Sequence, residues 1–403
     1  MIKSFVDLLH PHDPNLLLAA AAAGTRLMLR TDRAEAFSQL LSWERLNELI
    51  TAEKVLSGDI EFARRDMILP AEMTILRPKR QKPPTRMNGQ ALAQYVRQGI
   101  STVINGLDRM DAEVERVSAI IQREFRAATH VNLYASFGRE SAFSPHWDSH
   151  NVLILHLHGR KRWRSWGQPW QAPLCRDTCR VPGELGEPQW EAVLEPGDLL
   201  YLPRGEIHAA TLCEGEDSLH LTVGITPPRI EALAKMLAEK CQEDAVGRQD
   251  IPILASSEER ASWMSAARIL LHRAVEELDL DRVLMLLDQR EEALPAGGLG
   301  VGRHLQGNTL ILCALRRRVP LVPMADGSVE ITAGSQRWTV DGVQRRIFSQ
   351  VQQHHACTVT ELNVLLPEER EADIYRAIQL LAGKGLVRIK ESAPEAQSTL
   401  LIR

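Results

Sequence analysis

Between His130 and Ile225 the chain is a succession of short runs in which apolar residues tend to fall at every second position. No other feature limits the fold as strongly. Val131–Ala135, Val152–Leu157 and Lys161–Trp166 come first, the last two joined across Gly159. Glu191–Leu194, Asp198–Leu202, Ile207–Cys213 and Leu219–Ile225 follow, punctuated by Pro182-Gly183, Pro196-Gly197 and Pro203-Arg204-Gly205. A period of two places alternate side chains on opposite faces of a strand. Many short strands separated by turn residues predict an antiparallel barrel or sandwich.

The flanks change period. Residues 1 to about 128 read mainly helical: Leu40–Ile50 with Ser42 as N-cap, and Met110–Phe125, with Lys79–Thr85 as a loop between them. Pro227-Pro228 closes the strand-rich region, and 229–290 return to helical spacing. Leu294–Gly302, rich in glycine, reads as a linker. The tail predicts helices at Val343–Gln353, Thr360–Leu366 and Ala372–Lys384, a C-cap at Gly385 and a strand at Leu386–Lys390, the order of a small winged-helix module. The expected domains are therefore 1–228, 229–300 and 301–403.

Charge narrows the partners. Lys and Arg number 48 against 52 Asp and Glu, a formal net charge of −4, which excludes a generally basic nucleic-acid coat. The presumed recognition helix of the tail and its preceding turn, Glu368–Lys384, are net acidic and would repel phosphate, so a structural or protein-docking role is expected there. The apolar helices of 229–290 suit pairing with a second copy, a homodimer. The apolar run Leu16–Ala23 lacks a basic leader and is too short to span a bilayer, so a cytoplasmic protein away from membranes is expected. Six cysteines are too sparse for a disulfide scaffold. Only Cys175 and Cys179 are close, and no second pair completes a zinc site, so reduced thiols are the expectation.

Two islands in the strand-rich region carry chemistry: Pro145-His146-Trp147-Asp148-Ser149-His150 and Pro196–His208. His-x-Asp at a strand end aims both side chains to one face, and a later strand can return a second histidine across the interior. His146, Asp148 and His208 would then form a facial triad of two imidazoles and one carboxylate, the ligand set of non-haem Fe(II) oxygenases. With 13 histidines in the chain a His-x-Asp pair also arises by chance, leaving His146 a surface residue and His208 a packed one. His146 and His150 have a helical zinc spacing, which the strand-like context opposes. His156 and His158 share an inward parity and read as packed or pocket-lining, while His220 reads as structural.

Lys161 opens the strand after the Gly159 turn. A co-substrate with a second carboxylate needs a buried cation several ångströms from the metal, and one Lys or Arg supplies it. If Lys161 faces inward, its neighbours Arg160 and Arg162 face out. The alternative is a solvated basic hairpin.

Three stretches, His146-Trp147-Asp148, Val152–Trp163 and Gly197–His208, together with Gly99–Gly106 and Asn132-Leu133-Tyr134, resemble the JmjC/cupin oxygenases, most closely the ribosomal oxygenases that hydroxylate ribosomal protein side chains. The resemblance is strong over about 95–225 and architectural beyond. It implies an α+β chain with a double-stranded β-helix (cupin, jelly-roll) core, flanking helices, a helical dimerisation-type segment and a C-terminal winged-helix domain. It implies Fe(II) on His146, Asp148 and His208, 2-oxoglutarate as co-substrate with its distal carboxylate on Lys161, and O2 as oxidant. Asn132 and Tyr134 fall where histidyl-hydroxylating members hold the substrate residue. Trp147 and His156 depart from the family's usual residues, and the serine after the distal histidine has no clear counterpart. The implied activity is hydroxylation of a protein or peptide side chain, with a ribosomal protein the candidate partner. The alternatives are a tailoring hydroxylase of a ribosomally synthesised peptide and a non-catalytic cupin scaffold.

Overall fold

The computed structural model describes residues 2–51, 59–64, 66–69, 75–76, 86–138, 142–174, 181, 183–294 and 305–390. The chain divides into two compact units, Met1–Thr226 and Pro227–Arg403. Lys79–Thr85, Cys175, Cys179 and the Leu294–Gly302 stretch beyond Leu294 lie outside the described residues.

The strands of the first unit are β1 (Leu27–Arg30), β2 (Ile60–Arg64), β3 (Met67–Leu69), β4 (Ile75–Leu76), β5 (Arg86–Met87), β6 (Ser101–Ile104), β7 (Ala128–Ser136), β8 (Asn151–His158), β9 (Lys161–Gly167), β10 (Trp190–Leu194), β11 (Asp198–Leu202), β12 (Ile207–Leu212) and β13 (Ser218–Thr226). Eight of them form a sheet in the order β1-β11-β8-β13-β7-β6-β2-β3, and β10-β9-β12 form a second. From β8 onward the chain passes from the large sheet to the small one at Gly159 and back at Pro196-Gly197. It crosses again at Pro203–Gly205 and returns through 213–217. This winding is the double-stranded β-helix. Gly159 is required at its turn: φ is +69°, and a Cβ there would run into the Asp217 carbonyl oxygen.

The period of two sorts the core. Leu153, Leu155 and Leu157 of β8, Leu199 and Tyr201 of β11, and Leu219, Leu221 and Val223 of β13 pack in one cluster with residues of the helices α1 (Phe5–Leu9), α2 (Pro14–Ala23), α3 (Ala34–Leu40), α4 (Trp43–Thr51), α5 (Gly89–Arg97) and α6 (Ala112–Phe125). The opposite parity, Val152, Ile154, Leu200 and Leu202, joins Trp163 and Leu194 of the small sheet in a second cluster. Each such side chain taken fully from water stabilises the unit by about 1.5–3 kcal/mol. The inner face of the large sheet also carries its polar residues, and that is where the site lies.

Two helix starts follow the sequence reading: Ser42 Oγ accepts from the Arg45 amide at 3.1 Å, and α6 begins at Ala112 with Asp111 as cap. Residues 1–128 are mainly helical among those described, but the short strands between the helices escape the sequence reading: β1, β2, β3 and β6 supply half of the large sheet. These strands span only three to five residues, and Ser101–Ile104 is buried on both faces, so no alternation marks it.

The second unit begins with α7 (Ile230–Cys241), α8 (Ser257–Glu276) and α9 (Leu280–Gln289). A Ser256–Glu259 capping box starts α8. Then come β14 (Leu310–Cys313), β15 (Val322–Pro323), β16 (Val329–Ala333), β17 (Gln336–Val340), α10 (Gly342–His354), β18 (Ala356–Thr358), α11 (Val359–Leu365), α12 (Glu371–Gly383) and β19 (Val387–Lys390). The sheet β18-β14-β19 packs with α10, α11 and α12 around Ile347, Phe348, Leu362, Ile378 and Leu381. No helix among the described residues is long and apolar enough to cross a membrane.

Candidate metal centre

His146 and His208 are paired through their backbones. The His146 amide donates to the His208 carbonyl at 3.0 Å and the His208 amide to that of His146 at 2.8 Å, an antiparallel bridge outside the regular strands. The pairing puts the two rings 4.6 Å apart. Asp148, two residues on, is anchored where the Gly205 amide donates to its carbonyl at 3.0 Å, and its Oδ2 lies 3.6 Å from His208 Nε2. One donor atom from each of the three residues lies within 4.8 Å of the others.

The ring nitrogens are oriented for a metal. His146 Nδ1 meets the Ser144 carbonyl at 2.9 Å, and His208 Nδ1 meets the Glu206 carbonyl at 2.9 Å. A carbonyl only accepts, so Nδ1 carries the proton in both rings and Nε2 keeps a lone pair in the neutral form. Burial, reinforced by the neighbouring His146, pushes His208 down to about 4 against the opposing pull of Asp148, so it is neutral near pH 7. Two imidazoles and a carboxylate suit a divalent first-row metal.

The three residues line a cavity together with Tyr134, Phe143, Lys161, Trp163, His220 and Thr222, about 520 Å³ of empty space counting its solvent-open mouth. Lys161 is buried. Its Nζ donates to Ser136 Oγ at 3.0 Å, and Ser136 Oγ lies 3.3 Å from Ser101 Oγ. Among the described residues no carboxylate pairs with it, and burial pushes the amine down to about 7. A buried amine that faces the cavity and pairs with no carboxylate is a site for an anionic ligand group. The alternation on β9 runs as expected: Arg160 pairs with Glu216 at 2.6 Å, and Arg162 and Arg164 both pair with Glu191, on the outer face.

Sequence reasoning left His220 as a structural residue, yet it lines the cavity. Strand register sets Tyr134, His220 and His156 side by side on β7, β13 and β8. Their rings stack at 5.0 Å and 6.2 Å, tilted by only 6° and 10°. Burial, with Lys161 adding to it, lowers His220 well below its ordinary value and His156 to about 4, so both rings are neutral. Only the cross-strand register, which the sequence does not print, brings them together. Asn132 shares the face of Tyr134 but is not among the residues lining the cavity; its Oδ1 accepts from the Gly106 amide at 3.1 Å. His158 Nε2 meets the Leu41 carbonyl at 2.9 Å, and His150 packs against His130 at 4.9 Å.

A JmjC-domain family model matches residues 107–233, the span holding every cavity residue described above. Over that span the chain is similar to a JmjC domain. The chain is also 27% identical over 283 residues to the bifunctional lysine-specific demethylase and histidyl-hydroxylase NO66 of Drosophila mojavensis, covering 64% of this chain and 31% of that protein. It is 35% identical over 144 residues to ribosomal oxygenase 1 of Bos taurus, covering 35% of this chain and 22% of that one. The chain thus spans about a third or less of these relatives' length. Among solved structures, Escherichia coli YcfD superposes over 95% of this chain and 99% of its own with a TM-score of 0.53 at 16% identity. YcfD, described as a ribosomal oxygenase in complex with cobalt and 2-oxoglutarate, superposes with a TM-score of 0.50 over 91% of this chain and 95% of its own, also at 16% identity. At that identity the likeness is one of fold, and it extends past the JmjC domain.

Proposed function

We propose that this chain is an Fe(II)- and 2-oxoglutarate-dependent oxygenase that hydroxylates a side chain of a protein or peptide, with a ribosomal protein as the candidate substrate. The observation that carries the reading is one cavity holding both the His146/Asp148/His208 donors and the buried, anion-less Lys161. A scaffold has no reason to bury an amine there. The activities for which these relatives are named, and the cobalt and 2-oxoglutarate bound by YcfD, support it.

Fe(II) bound at the triad would supply activation of O2 coupled to decarboxylation of 2-oxoglutarate to succinate and CO2. The chain's own part is positioning. His146 and His208 present Nε2 because carbonyls hold their Nδ1 protons, and Asp148 adds the charge that favours a divalent cation. Lys161 takes the distal carboxylate, and Ser136 orients its amine. Apolar walls, Phe143, Val152 and Trp163, limit water at the reacting centre. Tyr134, whose hydroxyl is held protonated by burial, can donate to a neutral polar substrate side chain such as histidine or asparagine. Asn132 supports that tyrosine and the Gly106 turn.

We further read 229–300 as a helical segment suited to a homodimer, 301–403 as winged-helix-like, and the protein as cytoplasmic. The test is mass spectrometry of ribosomal proteins from cells with and without this chain, paired with succinate release from purified substrate. A single added oxygen on one side chain, lost in Asp148→Ala, is expected. Succinate release coupled only to a ribosomally made peptide would favour the tailoring reading, and no turnover with any substrate would leave the scaffold.

A further inference from the structure

We infer that Arg26, Ser165 and Glu206 form a positioning cluster that sets the ring of His208; the inference rests on the metal-centre reading above. Glu206 is a buried carboxylate that the proposed reaction does not use. The Arg26 guanidinium donates to its Oε1, and Ser165 Oγ donates to the same oxygen at 2.6 Å. Arg26 also donates to Ser165 Oγ at 2.9 Å and lies 4.8 Å over the Trp190 ring.

Register explains why these residues meet. Trp190, Ser165 and His208 stand directly opposite one another across β10, β9 and β12, so they share a row and a face. Arg26 enters from the segment before β1 and bridges that row. Between the Ile207–Gly167 and His208–Ser165 pairs the register shifts, and Trp166 of β9 is left as an extra residue, a bulge facing the start of β12. Bulges re-aim side chains beside functional sites. Opposite the bulge, the Glu206 carbonyl meets His208 Nδ1 at 2.9 Å, the bond that leaves Nε2 for the metal. The register shift interrupts the ladder where β12 starts, and that start needs side chains to hold it. The guanidinium–carboxylate–hydroxyl cluster, anchored by the fork of an arginine on an aromatic face, does that. Partners that orient a ligand in this way typically govern about 10–100-fold in metal affinity.

The experiment takes the full chain with Arg26→Ala, Arg26→Lys, Glu206→Gln and the double variant Arg26→Ala/Glu206→Gln. Long-range 1H–15N spectra of the metal-free protein read the His208 tautomer, Co(II) titration reads affinity and visible spectrum, and urea unfolding reads stability. The inference expects the Nδ1–H form of His208 to give way to a tautomer mixture. It expects Co(II) affinity to fall about tenfold or more in each single variant, with an altered Co(II) spectrum. The double variant should be no worse than the singles, because the three groups act as one unit. Arg26→Lys should keep most of the defect, since an ammonium cannot span Trp190, Ser165 and Glu206 together. A lowered urea midpoint with unchanged tautomer and Co(II) affinity would overturn it, reducing the cluster to packing. Were the wild-type chain to bind no Co(II), the metal reading would fall separately, and an unchanged tautomer would still overturn the positioning role.

Discussion

Replacing Lys161 by methionine should make the metal-free protein more stable while removing its use for a dicarboxylate. The side chains are similar in length and volume, so no cavity opens. Burial lowers the amine from 10.5 to about 7. Lys161 therefore folds at the expense of a protonation that the unfolded chain keeps. At about 1.36 kcal/mol for each tenfold change in proton affinity, lowering the amine from 10.5 to about 7 costs on the order of 5 kcal/mol at and below pH 7. Losing the hydrogen bond to Ser136 returns about 1 kcal/mol of that, leaving a net gain of about 4 kcal/mol for Lys161→Met. The sign follows from proton counting. Between about pH 7 and 10.5 the unfolded state binds more protons at this site, so wild-type stability rises with pH across that window. The advantage of the variant should be largest at and below pH 7 and vanish toward pH 10.5. Urea unfolding from about pH 6 to about pH 10, followed by tryptophan fluorescence, reads this directly. The same variant should need on the order of a hundredfold more 2-oxoglutarate or worse. A variant less stable than wild type at pH 7, or one whose advantage grows with pH, would show that burial does not disfavour the charged Lys161.

Gly159→Ala should cost about 3 kcal/mol or more and impair Lys161 as well, since positive φ and a backbone oxygen both oppose a Cβ; thermal melts and the 2-oxoglutarate KM check it. Asn132→Leu should destabilise the first unit by about 1–3 kcal/mol, measured by urea midpoint, because the Gly106 amide loses its acceptor. Tyr134→Phe should keep stability within about 1 kcal/mol but uncouple 2-oxoglutarate turnover from hydroxylation; coupling retained in full would remove Tyr134 from the substrate side. In acid, His156 should lose about 3 kcal/mol of stability as pH falls from 6.5 to 4, since the unfolded imidazole takes a proton the buried one refuses; a flat profile there contradicts its burial as a neutral ring.

What the sequence made legible was local. His146 and Asp148 are two residues apart, and the Gly159 turn with its alternating hairpin dictates that Lys161 faces opposite to Arg160 and Arg162. His208 was reachable because the Pro203–Gly205 turn fixes the start of its strand. What stayed hidden depends on register between distant segments. Arg26 is 139 residues from Ser165 and 180 from Glu206, and no periodicity connects them. The Tyr134–His220–His156 stack exists only because three strands align at those positions. The edge strands before residue 128 hid for a different reason: pieces of three to five residues carry too little pattern to outweigh the helices around them.

On the proposed function, one cavity holds Fe(II) on His146, Asp148 and His208 and a 2-oxoglutarate whose far end rests on Lys161. Anaerobic addition of Fe(II) and 2-oxoglutarate to the purified chain, followed by visible absorption, tests it most directly. The wild type should develop a metal-to-ligand charge-transfer band that saturates at one equivalent of each. The band should be absent in His208→Ala and appear only at far higher 2-oxoglutarate in Lys161→Met. A wild-type chain that shows no band, or a Lys161→Met variant that titrates like wild type, would contradict the account.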